Sequence, residues 1–199
     1  MSSRPQNISA TEALSRLQAG NRRYVKGEMI SPNTSVDHRQ SLTMGQSPFA
    51  IILTCADSRV SPEFIFDQGI GDLFTIRVAG NIVDDAVLGS IEYAAVHLGV
   101  NLVMVMGHEK CGAVGAAVVG DETQLHIDEL IRAIRPAVER AKEQNPEDLL
   151  EASIRENACY VSECLSHSEV VLSGLCAQHG LQVKAAYYSL ESGEVSLIN

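Results

Sequence analysis

Two short segments carry side chains whose types and spacing could do chemistry, Cys55-Ala56-Asp57-Ser58-Arg59 and Gly107-His108-Glu109-Lys110-Cys111. Cys55, His108 and Cys111 together offer two thiolates and one imidazole, a donor set matched to zinc, with expected Zn–S distances of about 2.3 Å and Zn–N distances of about 2.0 Å. Three protein ligands leave one tetrahedral position. If Asp57 fills it, the site is closed; if water fills it, the metal makes a nucleophile near neutral pH. Two thiolates donate more charge than two histidines would, which weakens that acidification. A nearby Asp57 that accepts the proton of the nucleophile would turn its lone pair toward an electrophile. Arg59, two residues further on, can pair with Asp57 in bidentate fashion. Such a pair is either a latch that draws the carboxylate off the metal or a tie that merely holds the loop. A plainer reading stays open, in which the cysteines are ordinary buried residues and His108 caps the next helix; a structural zinc knot is a further one.

The elements that must bring these segments together are two buried strands. Phe49 to Thr54 and Asn101 to Met106 are almost continuously apolar, as strands covered on both faces are, and each runs directly into one of the two segments. In a parallel α/β sheet the carboxyl ends of strands share one rim, so segments far apart in sequence can meet there. A further strand is expected over Leu73 to Val78. Helices are expected over Ser61 to Phe66, from Asp84 or Asp85 to Leu98, and over Cys111 to Val119. Strand and helix alternate as an α/β fold requires, giving a mostly parallel sheet of four to five strands flanked by helices.

At the N-terminus, Ser9 and Glu12 have the capping-box spacing, and Ala10, Ala13, Leu14 and Leu17 recur at helical intervals, so a first helix should run to about Ala19 or Tyr24. Residues 27–48 read as a long polar connection, and this arm either packs on its own domain or reaches another subunit. Ile127 to Glu143 is periodic but contains Pro136, which predicts a kink or two shorter helices. Glu147 to about Leu175 reads as one long helical region. Gln182 to Tyr188, the turn Glu191-Ser192-Gly193, and Glu194 to Ile198 read as a terminal hairpin.

The chain of 199 residues suits one domain, divided into an N-terminal helical arm and connection (residues 1–48) and an α/β domain (49–199) that holds the candidate zinc ligands and would carry any catalysis. Its 15 basic against 25 acidic residues give a formal charge of -10, which repels phosphate backbones and anionic bilayers. Arg22, Arg23 and Lys26 are the densest basic group, and Glu28 follows them. Nucleic acid and membrane surfaces are therefore set aside as partners. The polar start of the chain and the lack of a run of about 18 apolar residues make the cytoplasm the default location. Five cysteines, an odd number at irregular spacing, argue for reduced thiols or metal ligands over a disulfide framework. Cys159, Cys164 and Cys176 read as structural thiols. None of His38, His97, His126, His167 and His179 is assigned as a proton shuttle.

The two segments resemble the signature motifs Cys-x-Asp-x-Arg and His-x-x-Cys of the beta-class carbonic anhydrases. Gly71-Asp72-Leu73-Phe74, Arg77-Val78-Ala79-Gly80-Asn81, Ser90-Ile91-Glu92-Tyr93-Ala94 and Gly112-Ala113-Val114 are similar to that family in order and spacing. The resemblance implies zinc-dependent reversible hydration of carbon dioxide to bicarbonate and a proton. It implies one zinc per chain on Cys55, His108 and Cys111, with Asp57 either a fourth ligand or, paired to Arg59, an acceptor for the nucleophile. It also implies a homo-oligomer, a dimer or a dimer of dimers, in which the N-terminal arm wraps the partner subunit. Gln46, a polar turn residue by its surroundings, resembles the glutamine with which the plant-like branch hydrogen-bonds substrate. Phe74, Ala79 and Tyr93 resemble the lining of a small apolar pocket, with Tyr93 contributed across the dimer interface, and Gly80 and Gly112 fall among the substrate-binding positions. An apolar pocket suits carbon dioxide. The chain has no Trp, unlike the branch that bicarbonate inhibits allosterically, and Ala186 and Ser189 stand where the family more often has Gly and Asp. Carbonyl sulfide or carbon disulfide as substrate, and a non-enzymatic zinc scaffold or bicarbonate sensor, are the competing functions.

Overall fold

The computed structural model describes residues 4–120, 126–168 and 170–198. Strands β1 (Ala50–Thr54), β2 (Leu73–Arg77), β3 (Leu102–His108), β4 (Gln182–Tyr188) and β5 (Val195–Ile198) form one sheet in the order β2-β1-β3-β4-β5. The first four are parallel and β5 returns antiparallel to β4, as the hairpin reading expects.

Side-chain alternation across the pleat explains why β1 and β3 read as unbroken apolar runs. Ile51, Leu53, Val103 and Val105 pack on one layer, formed by α4 (Asp85–His97), α7 (Leu149–Glu163) and α8 (Val170–His179). Ala50, Ile52, Leu102, Met104 and Met106 pack on the other, formed by α1 (Ala10–Lys26) and α3 (Pro62–Ile65). Helices thus bury both faces, the usual condition for a parallel sheet. A third cluster joins α5 (Gly112–Val119), α6 (Ile127–Glu143) and Ile154 of α7 around Cys55 and Cys111.

Several expectations are corrected. The first helix runs to Lys26, past Tyr24, and stops at Gly27, whose φ of 69° ends it in the left-handed conformation. Ser9 Oγ accepts from the Glu12 amide, but the Glu12 carboxylate accepts from Arg16 instead of completing a capping box. Of the two alternatives for the arm, the apolar stripe of α1 packs on its own domain: Ala10, Ala13 and Leu17 are buried with Phe49, Ile52 and Met104. The segment 27–48 contains α2 (Val36–Ser41) and a 3-10 turn, and Asp67 ties it down by accepting from the Ile30 and Ser31 amides.

Pro136 does not divide α6. It lies on the exposed side of a helix whose other face buries Ile131, Ile134, Ala137, Val138 and Ala141, so the carbonyl it leaves unbonded can turn to water. The region after Glu147, by contrast, is two helices. Ser166 Oγ donates to Ser162 O and His167 Nδ1 bonds Glu163 O, and this competition for helix carbonyls coincides with a π turn at Cys164–Ser168. Finally, β3 extends two residues beyond Met106, because Gly107 and His108 keep register with Tyr187 and Tyr188 of β4.

Candidate metal centre

β1 and β3 are neighbours with Thr54 opposite Met106, so the chain leaves both strands at one rim. Cys55 is the first residue past β1, His108 the last of β3, and Cys111 the N-cap of α5. All three are buried, and their ligand atoms lie within 4.8 Å of one another. The two sulfurs are 4.0 Å apart. His108 Nδ1 bonds its neighbour's carbonyl, Glu109 O, at 2.9 Å, which makes Nδ1 the protonated nitrogen and turns the Nε2 lone pair inward. That Nε2 is buried without a hydrogen-bond partner. A buried acceptor beside two thiols is satisfied by a soft divalent cation, and by this test the residues fit zinc.

The thiols are held as a pair that shares a proton. A hydrogen bond from Cys111 pulls the Cys55 thiol well below its ordinary value against the effect of burial, with help from the Gly80 and Asp57 amides. The same bond, with burial, pushes Cys111 far up, although the Val114 and Ala113 amides at the start of α5 favour its thiolate. A bound cation offsets the repulsion between the two sulfurs, so both can be deprotonated together.

Asp57 sits at the edge of this triplet, its Oδ2 3.9 Å from His108 Nε2. Arg59 holds it there. Oδ1 accepts from Arg59 N and Nε, each at 2.9 Å, and Oδ2 accepts from Nη2 at 2.7 Å. The guanidinium keeps the carboxyl well below the usual carboxylate range. Beside them an open cleft of about 650 Å³ is lined by Arg59, Lys110, Tyr24, Tyr188, Leu190 and Glu191.

Two residues that sequence reasoning missed fix the backbone of this rim. Arg77, the last residue of β2, donates to Cys55 O at 3.2 Å and to Asp57 O at 2.6 Å, clamping the loop that carries both side chains. Asn157 of α7 donates to Gly80 O at 2.8 Å, and Gly80 N in turn donates to Cys55 Sγ at 3.4 Å. Arg77 lies in a motif already noted, but nothing in the sequence near Asn157 marks it.

The remaining site candidates divide. Ala79 and Gly80 form the turn after β2, next to Cys55, and Gly112 opens α5 beside Cys111 with its surface exposed. Gln46 is exposed and precedes β1, at the end of the strand opposite to Cys55. Phe74 is in register with Ile51, four residues before Cys55, or about 13 Å along the strand. It packs with Tyr93 at 6.3 Å between ring centres, and Tyr93 is 48% exposed. Within one chain these three residues do not meet the triplet.

Comparisons with known proteins agree with the motifs. Residues 50–195 match the family profile described as carbonic anhydrase. The chain is 47% identical over 136 residues to carbonic anhydrase 2 of Mycobacterium tuberculosis, a match spanning 66% of each protein, just short of two thirds of the relative's length. It is 35% identical over 196 residues to a carbonic anhydrase of Mycolicibacterium smegmatis, covering 96% of this chain and 94% of that one. Among solved structures, the beta-carbonic anhydrase CcaA matches with a TM-score of 0.73 and 28% identity, over 94% of this chain and 95% of that chain.

Proposed function

The chain belongs to the beta-carbonic anhydrase family, and from that premise we propose that it catalyses the reversible hydration of carbon dioxide to bicarbonate and a proton, using one zinc ion held by Cys55, His108 and Cys111. The observation that carries this reading is the buried triplet, with His108 Nε2 unpartnered between two thiols. Zinc bound there supplies a Lewis acid that makes water nucleophilic near neutral pH.

The chain's own residues do the rest. Arg59 holds the Asp57 carboxylate to one side of the triplet; with zinc bound there, this paired state would leave room for water and be the active one, and an Asp57 released onto the metal would be the resting one. In the paired state the Asp57 carboxylate accepts a hydrogen bond from the attacking water and aims its lone pair at the carbon. Gly112 opens α5, where first-turn amides have no helical carbonyl to bond, and we assign its N–H as a donor to the negative charge that develops on the product. Ala79 and Gly80 wall the site on the β2 side.

Gln46, Phe74 and Tyr93 lie away from their own chain's triplet and serve the pocket of a second subunit. A homodimer, alone or paired into a tetramer, is therefore the working unit, each protomer being one domain with residues 1–48 as its arm. Gln46, together with the absence of Trp, assigns the chain to the plant-like branch. None of the five cysteines is paired in a disulfide, which suits a reducing compartment such as the cytoplasm, and no helix among the described residues is long and apolar enough to cross a membrane.

Stopped-flow hydration on metal-quantified protein tests the reading. Turnover should scale with zinc content and disappear, along with the zinc, in a Cys55→Ser/His108→Ala double variant. Zinc-replete wild-type protein that does not hydrate carbon dioxide would refute it.

A further inference from the structure

We propose that Asn157 is a positioning residue for the Cys55 sulfur: from α7 it fixes the Gly80 carbonyl and thereby aims the Gly80 N–H at Cys55 Sγ. This rests on the reading of Cys55 as a metal ligand. Asn157 is fully buried, its Nδ2 lies 2.8 Å from Gly80 O, and Gly80 N lies 3.4 Å from the sulfur. Gly80 is otherwise held by close packing at a φ of 70°, where an added Cβ would come within 2.6 Å of Ile134 Cδ1 and 3.2 Å of Ala113 Cβ. Packing of that kind keeps a glycine in place, but it does not set the tilt of its peptide planes. A hydrogen bond to the Gly80 carbonyl fixes the Gly80–Asn81 peptide plane, and with φ held at 70° by that packing it also limits how the preceding Ala79–Gly80 plane, which carries the N–H, can turn.

Two features indicate that this contact is built rather than incidental. First, α7 comes unusually near β3 because β3 presents Gly107, where a Cβ would stand 3.1 Å from Ile154 O. Ile154 lies one turn before Asn157, so the close approach carries Asn157 toward the rim. Second, Asn157 Oδ1 is buried without a partner. Burying an amide with its oxygen unbonded is unfavourable, and an apolar residue of the same size would avoid that cost. What such a residue would lose is the donor to Gly80. An N–H···S bond draws electron density off a ligating thiolate, so its chemical effect is to offset the excess charge that two thiolates place on the cation.

The full-length protein loaded with 113Cd, and separately with Co(II), tests the proposal. In wild type the Gly80 amide proton should show scalar coupling to 113Cd through the Cys55 sulfur. In Asn157→Leu, which keeps the size and removes the donor, that coupling should be lost. The thiolate-to-cobalt charge-transfer band should then move to lower energy, with metal content still about one per chain. A role in packing alone would lower the melting temperature and leave coupling and band unmoved, and that result overturns the proposal. Asn157→Ser is measured in parallel, so that a poorly folding leucine variant does not decide the matter. Absence of the coupling in wild type overturns the proposal with no variant needed. Failure to take up either cation would instead remove the metal-site reading beneath it.

Discussion

Arg59 places two parallel hydrogen bonds on Asp57, at 2.9 Å to Oδ1 and 2.7 Å to Oδ2, and so decides where that carboxylate rests. In Arg59→Ala the carboxylate stands near a cation with no competing partner and should swing onto the fourth position. Metal content should stay near one per chain, since three ligands persist and a fourth is gained. Hydration turnover should fall at least about 100-fold, a loss of roughly 2.7 kcal/mol in transition-state stabilisation. Asp57→Ala should retain more activity, because the position stays open and only the orienting acceptor is gone. Turnover measured against zinc content in both variants separates a latch from a structural tie, and wild-type rates in zinc-replete Arg59→Ala protein would sink the latch. That Cys55, His108 and Cys111 meet was legible in the sequence, because each lies directly after a buried strand and the two strands end at one rim, while donor types and spacing left their role open and only the resemblance to a family narrowed it. Arg77 and Asn157 were not, because each acts through a hydrogen bond to the backbone of a remote turn, and only the fold brings the two ends together.

Among the elements, α1 and α3 show packing overruling local propensity. Gly20 lies inside α1, where helix propensity favours Ala by about 1 kcal/mol. A Cβ at that position would stand 1.7 Å from Phe66 O and 2.6 Å from its carbonyl carbon, and neither backbone can yield without separating the two helices. Gly20→Ala should therefore destabilise the protein by about 3 kcal/mol or more. Urea unfolding showing unchanged or increased stability would contradict the contact. The same corner is secured by Asp67, which is buried and accepts from Arg23 and from the Ile30 and Ser31 amides. Burial pushes its carboxyl up, but Arg23 and the two amides outweigh that and leave it below the usual range. A depressed carboxyl stabilises the fold above its unfolded pKa of about 3.9 and loses that contribution as the pH falls further. Asp67→Asn should cost about 2 kcal/mol at pH 7, with the gap to wild type steady down to about pH 4 and closing below it. A gap that persists at pH 3 would show that charge is not its source. The strands and most helices were legible because burial on two faces, helical periodicity and caps such as Asp84 leave local marks. The unbroken α6 and the π turn at Cys164–Ser168 depend on which face meets solvent and on side-chain bonds to helix carbonyls, and no residue spacing records either.

For the whole molecule, the placement of α1 changes what removing the N-terminal segment should do. An arm whose apolar stripe lay on another subunit could be removed and leave a folded monomer behind. Here Ala10, Ala13 and Leu17 cover the protomer's own sheet, packed with Phe49, Ala50, Ile52 and Met104. Asn21 of the same helix binds the far end of the chain, donating to Ile65 O and Gly193 O and accepting from Val195 N. Deleting residues 1–26 therefore strips one face of the central strands and also releases the final hairpin. Deletion should lower the stability of the protomer itself, so the loss of melting temperature should persist on dilution to where the subunits separate. An interface-only role predicts the reverse, a deficit that depends on protein concentration and disappears in the monomer. Gln46, Phe74 and Tyr93 lie outside the deletion, so any activity lost with the segment should track the folded fraction and not the oligomeric state. Calorimetry across a concentration series, with light scattering on the same samples, distinguishes the two. A truncated chain that remains a well-folded monomer with wild-type stability would mean that α1 does not belong to this core.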